Sequence, residues 1–254
     1  MVRLGTQKGS KRMSARNAII LTSGLTGSSV LTGLISQAGY WTGDSSHKKE
    51  DYDTYENQEL IDLNLRLFEE AGYKGNYMTE FSPELLSQIG ALYGRIDSRP
   101  YQLFLDKCNK HQPWIWKDPR LWLTIHFWKN LLHLDDCTFI LLTRDYLQAW
   151  ISATLRRQIR SYSSFKNYEW RIKDSVVQLL DEHRRPYLHI RYDELIAHPA
   201  ATIDALNRYL ETSLSIDDLK RIYRRPLFRS PRASSLDYCK AVLIYMKNYS
   251  ERVS

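Results

Sequence analysis

The stretch from Asn17 to Ser36 reads NAIILTSGLTGSSVLTGLIS, and few folds accommodate such a run. An apolar segment, Ala18 to Leu21, stops at Thr22-Ser23-Gly24, turns through Leu25-Thr26-Gly27 and restarts at Ser28-Ser29. Val30, Leu31, Leu34, Ile35 and Ala38 then recur at helical spacing and make one apolar face. The pattern is a buried strand, a turn of small residues and a helix N-terminus. The first N–H groups of a helix lack intrahelical partners and sit at the positive end of its dipole, so the turn suits an anion. Gly24 and Gly27 permit close backbone approach, and Thr26, Ser28 and Ser29 add hydroxyl donors. An ordinary strand–helix turn capped by Ser or Thr fits the same residues.

The loop is not the one that binds ATP or GTP. That motif needs four residues between its glycines followed by Lys-Ser/Thr. Only two separate Gly24 from Gly27, and no lysine follows.

Further along, Pro113 to Lys117 reads as a short strand that delivers Lys117 at its end, with Asp118-Pro119-Arg120 opening a helix. Cys137 to Thr143 is the strongest strand, a continuous apolar run of the buried parallel type, and it ends at Arg144-Asp145. Pro186 to Arg191 is a fourth strand. Helical stripes lie between: from near Glu56 to about Ala71, from Ser82-Pro83 onward, from Tyr101 to Lys110, after Asp118, after Asp145, and around Tyr168 to Glu182. Pro199 to Leu210 and Ser215 to Tyr223 are also helical, while residues 39–53 read as a polar loop. Strands alternating with helices of this length imply βαβ units. The expected fold class is α/β, a three-layer sandwich with a central parallel β-sheet flanked by helices. With no internal repeat or linker, residues 18–254 form one domain behind a basic tail over 1–17.

The net charge of +7 is concentrated in that tail, whose Arg3, Lys8, Lys11, Arg12 and Arg16 meet no acid. The body keeps only about +2, so no nucleic-acid surface is expected. No apolar segment precedes the first strand and no eighteen apolar residues run together, so neither a secretory signal nor a membrane span is expected. Cys108, Cys137 and Cys239 are odd in number and far apart, which suggests neither a disulfide framework nor a zinc site. A cytoplasmic location follows as the expectation.

Open parallel sheets bind ligands at the carboxyl ends of their strands. Three such ends carry polar or charged groups: Thr22 to Ser29, Lys117-Asp118 and Thr143-Arg144. Arg144 offers a charge-assisted fork and Ser152, eight residues on, a hydroxyl two turns into the next helix. Lys117 suits neutralisation of a leaving group or donation of a proton, or else a salt bridge to Asp118. Asp44, His47, Glu56 and Glu59 are the candidate bases after the first helix; His47 fits a solvated loop and Glu56 fits a helix N-terminal charge equally. Between Lys220 and Arg232 six basic residues meet no acid, which reads either as a solvated arm or as a clamp over the cleft.

Taken together, these segments resemble the sulfotransferase family, which moves a sulfuryl group from 3′-phosphoadenosine 5′-phosphosulfate (PAPS) to a hydroxyl or amine. Thr22 to Ser29 looks like the 5′-phosphosulfate loop, and Arg144 to Ser152 like the 3′-phosphate motif. Trp116-Lys-Asp-Pro-Arg120 is similar to the Lys-Asp-Pro element of bacterial and protein-tyrosine members, and Arg191 to Pro199 to the segment whose tyrosine lies near the adenine. Tyr55-Glu56-Asn57 with Leu63-Asn64 is similar to a stretch of bacterial carbohydrate-type members. The resemblance implies a P-loop NTPase-like topology. It also implies that Ser23, Gly24, Thr26, Gly27, Ser28 and Ser29 hold the 5′-phosphosulfate, Arg144 and Ser152 the 3′-phosphate, and Tyr192 the adenine.

The sequence departs from the family at Leu25, where Lys or Arg is usual, and at Tyr146, where Pro is usual. The first departure hands the positive charge at the bridging oxygen to Lys117. The implied reaction is in-line sulfuryl transfer without a metal, releasing adenosine 3′,5′-bisphosphate, with Glu56 as base and Asp44 as the alternative. The acceptor is a small molecule or a saccharide. A kinase with a degenerate loop and a non-catalytic nucleotide-binding protein are the competing readings.

Overall fold

Residues 16–48, 52–223 and 234–248 are described by the structure, a computed structural model. β1 (Asn17–Leu21) leads through the loop into α1 (Ser28–Ser36). A two-stranded antiparallel hairpin follows, β2 (Ser46–Lys48) with β3 (Asp53–Asn57), ahead of α2 (Gln58–Glu70), α3 (Pro83–Ala91) and α4 (Arg99–Lys110). Next come β4 (Ile115–Lys117), α5 (Leu121–Trp128), β5 (Cys137–Thr143), α6 (Tyr146–Leu155) and α7 (Tyr162–Glu182). The chain continues through β6 (Tyr187–Arg191), α8 (Tyr192–Ala197), α9 (Pro199–Leu210), α10 (Ile216–Ile222) and α11 (Ser235–Lys247).

The sheet has the order β4-β1-β5-β6, and every neighbouring pair is parallel. Ile20 lies opposite both Lys117 and Ile140, so β1, β4 and β5 end along one edge. Side chains of a strand point alternately to its two faces, and here that alternation sorts the core. Ile19, Leu21, Phe139 and Leu141 pack with α2, α3, α4, α5 and α7. Ala18, Ile20, Ile140 and Leu142 pack with α1, α8, α9 and α10. The central strands are therefore apolar on both faces from Ala18 to Leu21 and from Phe139 to Leu142, as the continuous runs required. This is the α/β architecture with a parallel sheet covered on both faces.

Several expectations need correction. The polar stretch 39–53 does not stay a loop: it enters the β2–β3 hairpin, where Thr54 Oγ1 donates to the His47 carbonyl at 2.6 Å. Glu56 belongs to β3 rather than to a helix N-terminus, because Asn57 caps α2 by accepting from the Glu59 and Leu60 N–H groups. α7 begins six residues before Tyr168, at Tyr162, with Ser161 as its cap. Asn17 is not part of a mobile tail: it is buried in β1, and its side-chain oxygen accepts from the Trp114 N–H at 3.1 Å. The tail over 1–15 and the basic cluster beyond Tyr223, up to Arg232, lie outside the described residues. Of that cluster, Lys220 and Arg221 sit on α10 and pair with Asp217 and Asp218.

Candidate active site

The loop between β1 and α1 meets each of the elements that the sequence pointed to. Gly27 is the N-cap residue of α1, with φ 79°, and among the described residues no side chain caps the helix. There is no acid in its first turn either. The free N–H groups of α1 thus keep their donors and their dipole for something else. Gly27 is constrained twice. Its φ is left-handed, and a Cβ there would overlap the ring of Tyr192, the first residue of α8. Gly24, at φ 95°, faces the Pro119 Cβ, so the turn after β4 lies against the loop. Inside the loop the Thr22 and Thr26 hydroxyls are 2.5 Å apart, which ties its two limbs together. Thr26 is fully buried, Ser28 is buried, and Ser29 is partly open.

β4 brings Lys117 to the helix N-terminus. Its ammonium donates to Glu56 Oε1 at 2.5 Å and to Ser29 Oγ at 3.3 Å. Only 1% of the Lys117 side chain is exposed, against 14% for Glu56, so the pair is held in a low-dielectric setting. Asp118 does not take Lys117. Its buried carboxylate accepts from Asn64 Nδ2 at 2.8 Å, from the Arg120 N–H at 2.9 Å and from Arg120 Nη1 at 2.8 Å. Asn64 in turn accepts from Trp128 Nε1 at 2.8 Å, so α2 and α5 lock the turn that carries Lys117. Burial raises the Asp118 carboxyl above the usual range, against the opposing pull of Arg120.

From β5, Arg144 donates Nη1 to the Leu25 carbonyl at 3.4 Å and lies over the Tyr192 ring, 5.4 Å from its centre. Its Nε is buried and has no partner among the described residues. Burial lowers the Arg144 pKa, though Tyr192 and Asp193 oppose the shift. An arginine that gives up hydration without a full set of acceptors is suited to a phosphate.

Two solved structures share this architecture. The sulfotransferase domain of the Synechococcus PCC 7002 olefin synthase superimposes with a TM-score of 0.50 and 15% identity, over 96% of this chain and 98% of that one. The sulfotransferase domain of the curacin biosynthetic pathway does so with a TM-score of 0.52 and 15% identity, over 89% and 82%. The fold is that of sulfotransferase domains. No protein-family model matches the sequence, and no curated protein does.

Within the sulfotransferase fold, the site residues expected from sequence divide into those in contact and those apart. Ser29, Lys117 and Glu56 form one chain of contacts, and Arg144, Leu25, Gly27 and Tyr192 form another. Ser152 lies on α6, where its hydroxyl accepts from Arg156 Nη1 at 3.3 Å. Asp44 is turned to the surface, where it pairs with Lys107 at 2.9 Å beside Glu59. Leu25, at φ 54°, packs against the cluster of Trp150, Ile151 and Phe165 between α6 and α7. The side chain at that position is therefore half-buried against an apolar cluster, which suits its apolar character.

The structure also adds residues that the sequence did not single out. Arg156 stands close enough to Arg144 to lower its pKa further. Ser23, expected to face an anion, donates instead to Glu169 Oε2 of α7 at 2.6 Å. Burial pushes the Glu169 carboxyl up to about 7, with the Ser23 hydrogen bond and Arg160 pulling the other way. Arg160 is itself buried: it donates to the Thr79 carbonyl at 3.1 Å and lies over Tyr168, whose hydroxyl donates to the Tyr77 carbonyl. Among the described residues no group of three His, Cys, Asp or Glu side chains is arranged to hold a metal ion, and no helix is long and apolar enough to cross a membrane.

Proposed function

We propose that the protein is a sulfotransferase that moves a sulfuryl group from PAPS to a hydroxyl of a small-molecule or saccharide acceptor. The observation that carries the reading is the uncapped N-terminus of α1 with Lys117 at its opening and Arg144 behind the loop. This arrangement offers backbone donors to the 5′-phosphosulfate and a buried guanidinium to the 3′-phosphate. Arg156 and Ser152 complete the 3′-phosphate side, and Tyr192 stands on the path to the adenine.

In the reaction Glu56 takes the acceptor's proton through its second carboxylate oxygen, since Oε1 is engaged by Lys117. The acceptor oxygen forms a bond to sulfur as the bond from sulfur to the 5′-phosphate oxygen breaks. Negative charge then grows on that bridging oxygen, and Lys117 meets it from the position that Leu25 leaves without a cation. Adenosine 3′,5′-bisphosphate departs with the electron pair. As in phosphoryl transfer, the protein contributes alignment and a preorganised positive field more than covalent chemistry. The acceptor enters past Tyr77, a ring that Arg120 covers at 5.1 Å and that lies within the electrostatic reach of Glu56.

Titration calorimetry with adenosine 3′,5′-bisphosphate, ATP and GTP tests the reading. The bisphosphate binds in preference to both, and Arg144→Ala weakens it by roughly tenfold to a hundredfold, the loss of a charge-assisted contact. Preference for ATP or GTP would favour a kinase. Tight binding of the bisphosphate without transfer to any member of a hydroxylated acceptor panel would favour a non-catalytic binder.

A further inference from the structure

Ser23 is a buried residue of the loop between β1 and α1, and its proton is already committed. Ser23 Oγ donates to Glu169 Oε2 at 2.6 Å, and its other contact, to the Gly24 carbonyl, is marginal at 3.5 Å. A hydroxyl has one proton and two lone pairs. While Glu169 is ionised, Ser23 has lone pairs and no free donor to offer an anion held by the loop. A carboxylate one hydrogen bond away from the loop also repels an anion bound there.

We propose that Glu169 is a positioning residue for the donor: it sets the direction of the Ser23 hydroxyl, so the loop takes up its anion together with one proton. The inference rests on the phosphosulfate reading of the loop. In the ionised state Ser23 O–H donates to the Glu169 carboxylate. On protonation the carboxylic O–H donates to Ser23 Oγ, and the Ser23 proton swings to the bound anion. One proton enters from solvent, no covalent bond to carbon, phosphorus or sulfur changes, and the negative charge beside the anion falls by one unit.

The surroundings permit this. The groups acting on Glu169 are Ser23 from the loop, Arg160 from the segment between α6 and α7, and its α7 neighbour Tyr168; Tyr146 of α6 lies close enough to feel its charge. Arg160 does not capture the carboxylate as an ion pair among the described residues, being directed to the Thr79 carbonyl and stacked on Phe165 and Tyr168. The two tyrosines stay neutral, since burial raises both their pKa values. Glu169 is thus the group with a proton to exchange near neutrality, its carboxyl lying at about 7.

Calorimetry of the full chain with adenosine 3′,5′-bisphosphate and with pyrophosphate, in HEPES and in Tris from pH 6 to pH 8, tests the proposal. The difference in heat between the buffers gives the protons taken up. For the wild type, affinity falls about tenfold from pH 6 to pH 8 beyond the titration of the ligand itself. In Glu169→Gln, whose amide always donates to Ser23, that fall vanishes and about one proton fewer is taken up at pH 8. Ser23→Ala, which has no hydroxyl to turn, binds at pH 6 about as weakly as the wild type does at pH 8. An unchanged pH slope in Glu169→Gln, or wild-type affinity of Ser23→Ala at pH 6, overturns the proton linkage while leaving the loop's assignment intact. If the wild type binds neither ligand at pH 6, the phosphosulfate reading falls and the linkage falls with it.

Discussion

Glu56 and Glu169 reach the same loop from different elements, and they meet it on different terms. Glu56, from β3, is paired with a cation: Lys117 lies 2.5 Å away and bridges onward to Ser29. Glu169, from α7, is paired with a neutral hydroxyl, that of Ser23, at nearly the same distance of 2.6 Å. A hydroxyl offsets little of the cost of burying charge, so Glu169 is pushed up to about 7. The lesson is that hydrogen-bond length says little about what a carboxylate does. The charge of the partner decides it. One carboxylate is held against a buried lysine, while the other is held near its own titration point beside the loop.

The largest effect should come from breaking the cationic pair. Lys117→Ala should lower sulfuryl transfer from PAPS by about a hundredfold to a thousandfold, the usual cost of one preorganised charge donor. Glu56→Gln should lower kcat by a similar factor, on the scale of general-base catalysis. It should also lower stability by about 3 kcal/mol, because the nearly inaccessible Lys117 loses its carboxylate partner. The double variant, Lys117→Ala with Glu56→Gln, should recover much of that stability and none of the activity. Denaturant unfolding and a labelled-sulfate transfer assay check both halves. If Glu56→Gln alone leaves transfer unchanged, the base lies elsewhere.

A smaller effect should follow from displacing the loop, which Glu169 touches through Ser23 and which runs into the α1 turn that Glu56 reaches through Lys117 and Ser29. Gly27→Ala forces a left-handed φ on alanine and drives its methyl into the Tyr192 ring, whereas Gly39→Ala, at φ 90°, meets open space. The backbone strain alone is worth about 1 kcal/mol. The amount by which Gly27→Ala exceeds Gly39→Ala in thermal or denaturant unfolding therefore measures the Tyr192 contact. Weakened binding of adenosine 3′,5′-bisphosphate should accompany Gly27→Ala and not Gly39→Ala.

How far each carboxylate was legible in the sequence follows from the same chemistry. β1 and β5 announce themselves because they are buried on both faces and so read as apolar runs, β6 shows itself by alternation, and Lys117 and Arg144 stand at the ends of β4 and β5. Glu56 was within reach because it follows the first helix closely, although its strand was not: SHK and DTYEN carry too few apolar residues to signal a hairpin. Asn57 was the available sign, since an Asn ahead of Gln-Glu and a helical stripe is a cap, which puts Glu56 outside the helix. Glu169 had no such sign. It is one polar position in a 21-residue amphipathic helix, 146 residues from Ser23, and only the packing of α7 beside β5 and the loop brings the two together. The packing of Leu25 was hidden for the same reason, because the cluster it leans on, with Trp150 and Phe165, comes from later elements.

The smallest effect, and the one that isolates the neutral pair, is on stability against pH. The Glu169 carboxyl titrates near 4.5 in the unfolded chain and about 7 in the native one. Between those values the native state holds a proton that the unfolded state has released, so stability falls as pH rises. The fall begins above about 4.5, is complete above about 7, and amounts to no more than about 3 kcal/mol for a displacement of this size. Partial exposure of the side chain reduces it further. Glu169→Gln cannot lose the proton and should remove this slope, so the variant gains on the wild type at pH 8 and matches it near pH 4.5. Unfolding midpoints in denaturant across that range decide the matter. Parallel curves for the two proteins would mean that Glu169 is ionised in the native state throughout, and that the hydroxyl of Ser23 stabilises its carboxylate as effectively as Lys117 stabilises that of Glu56.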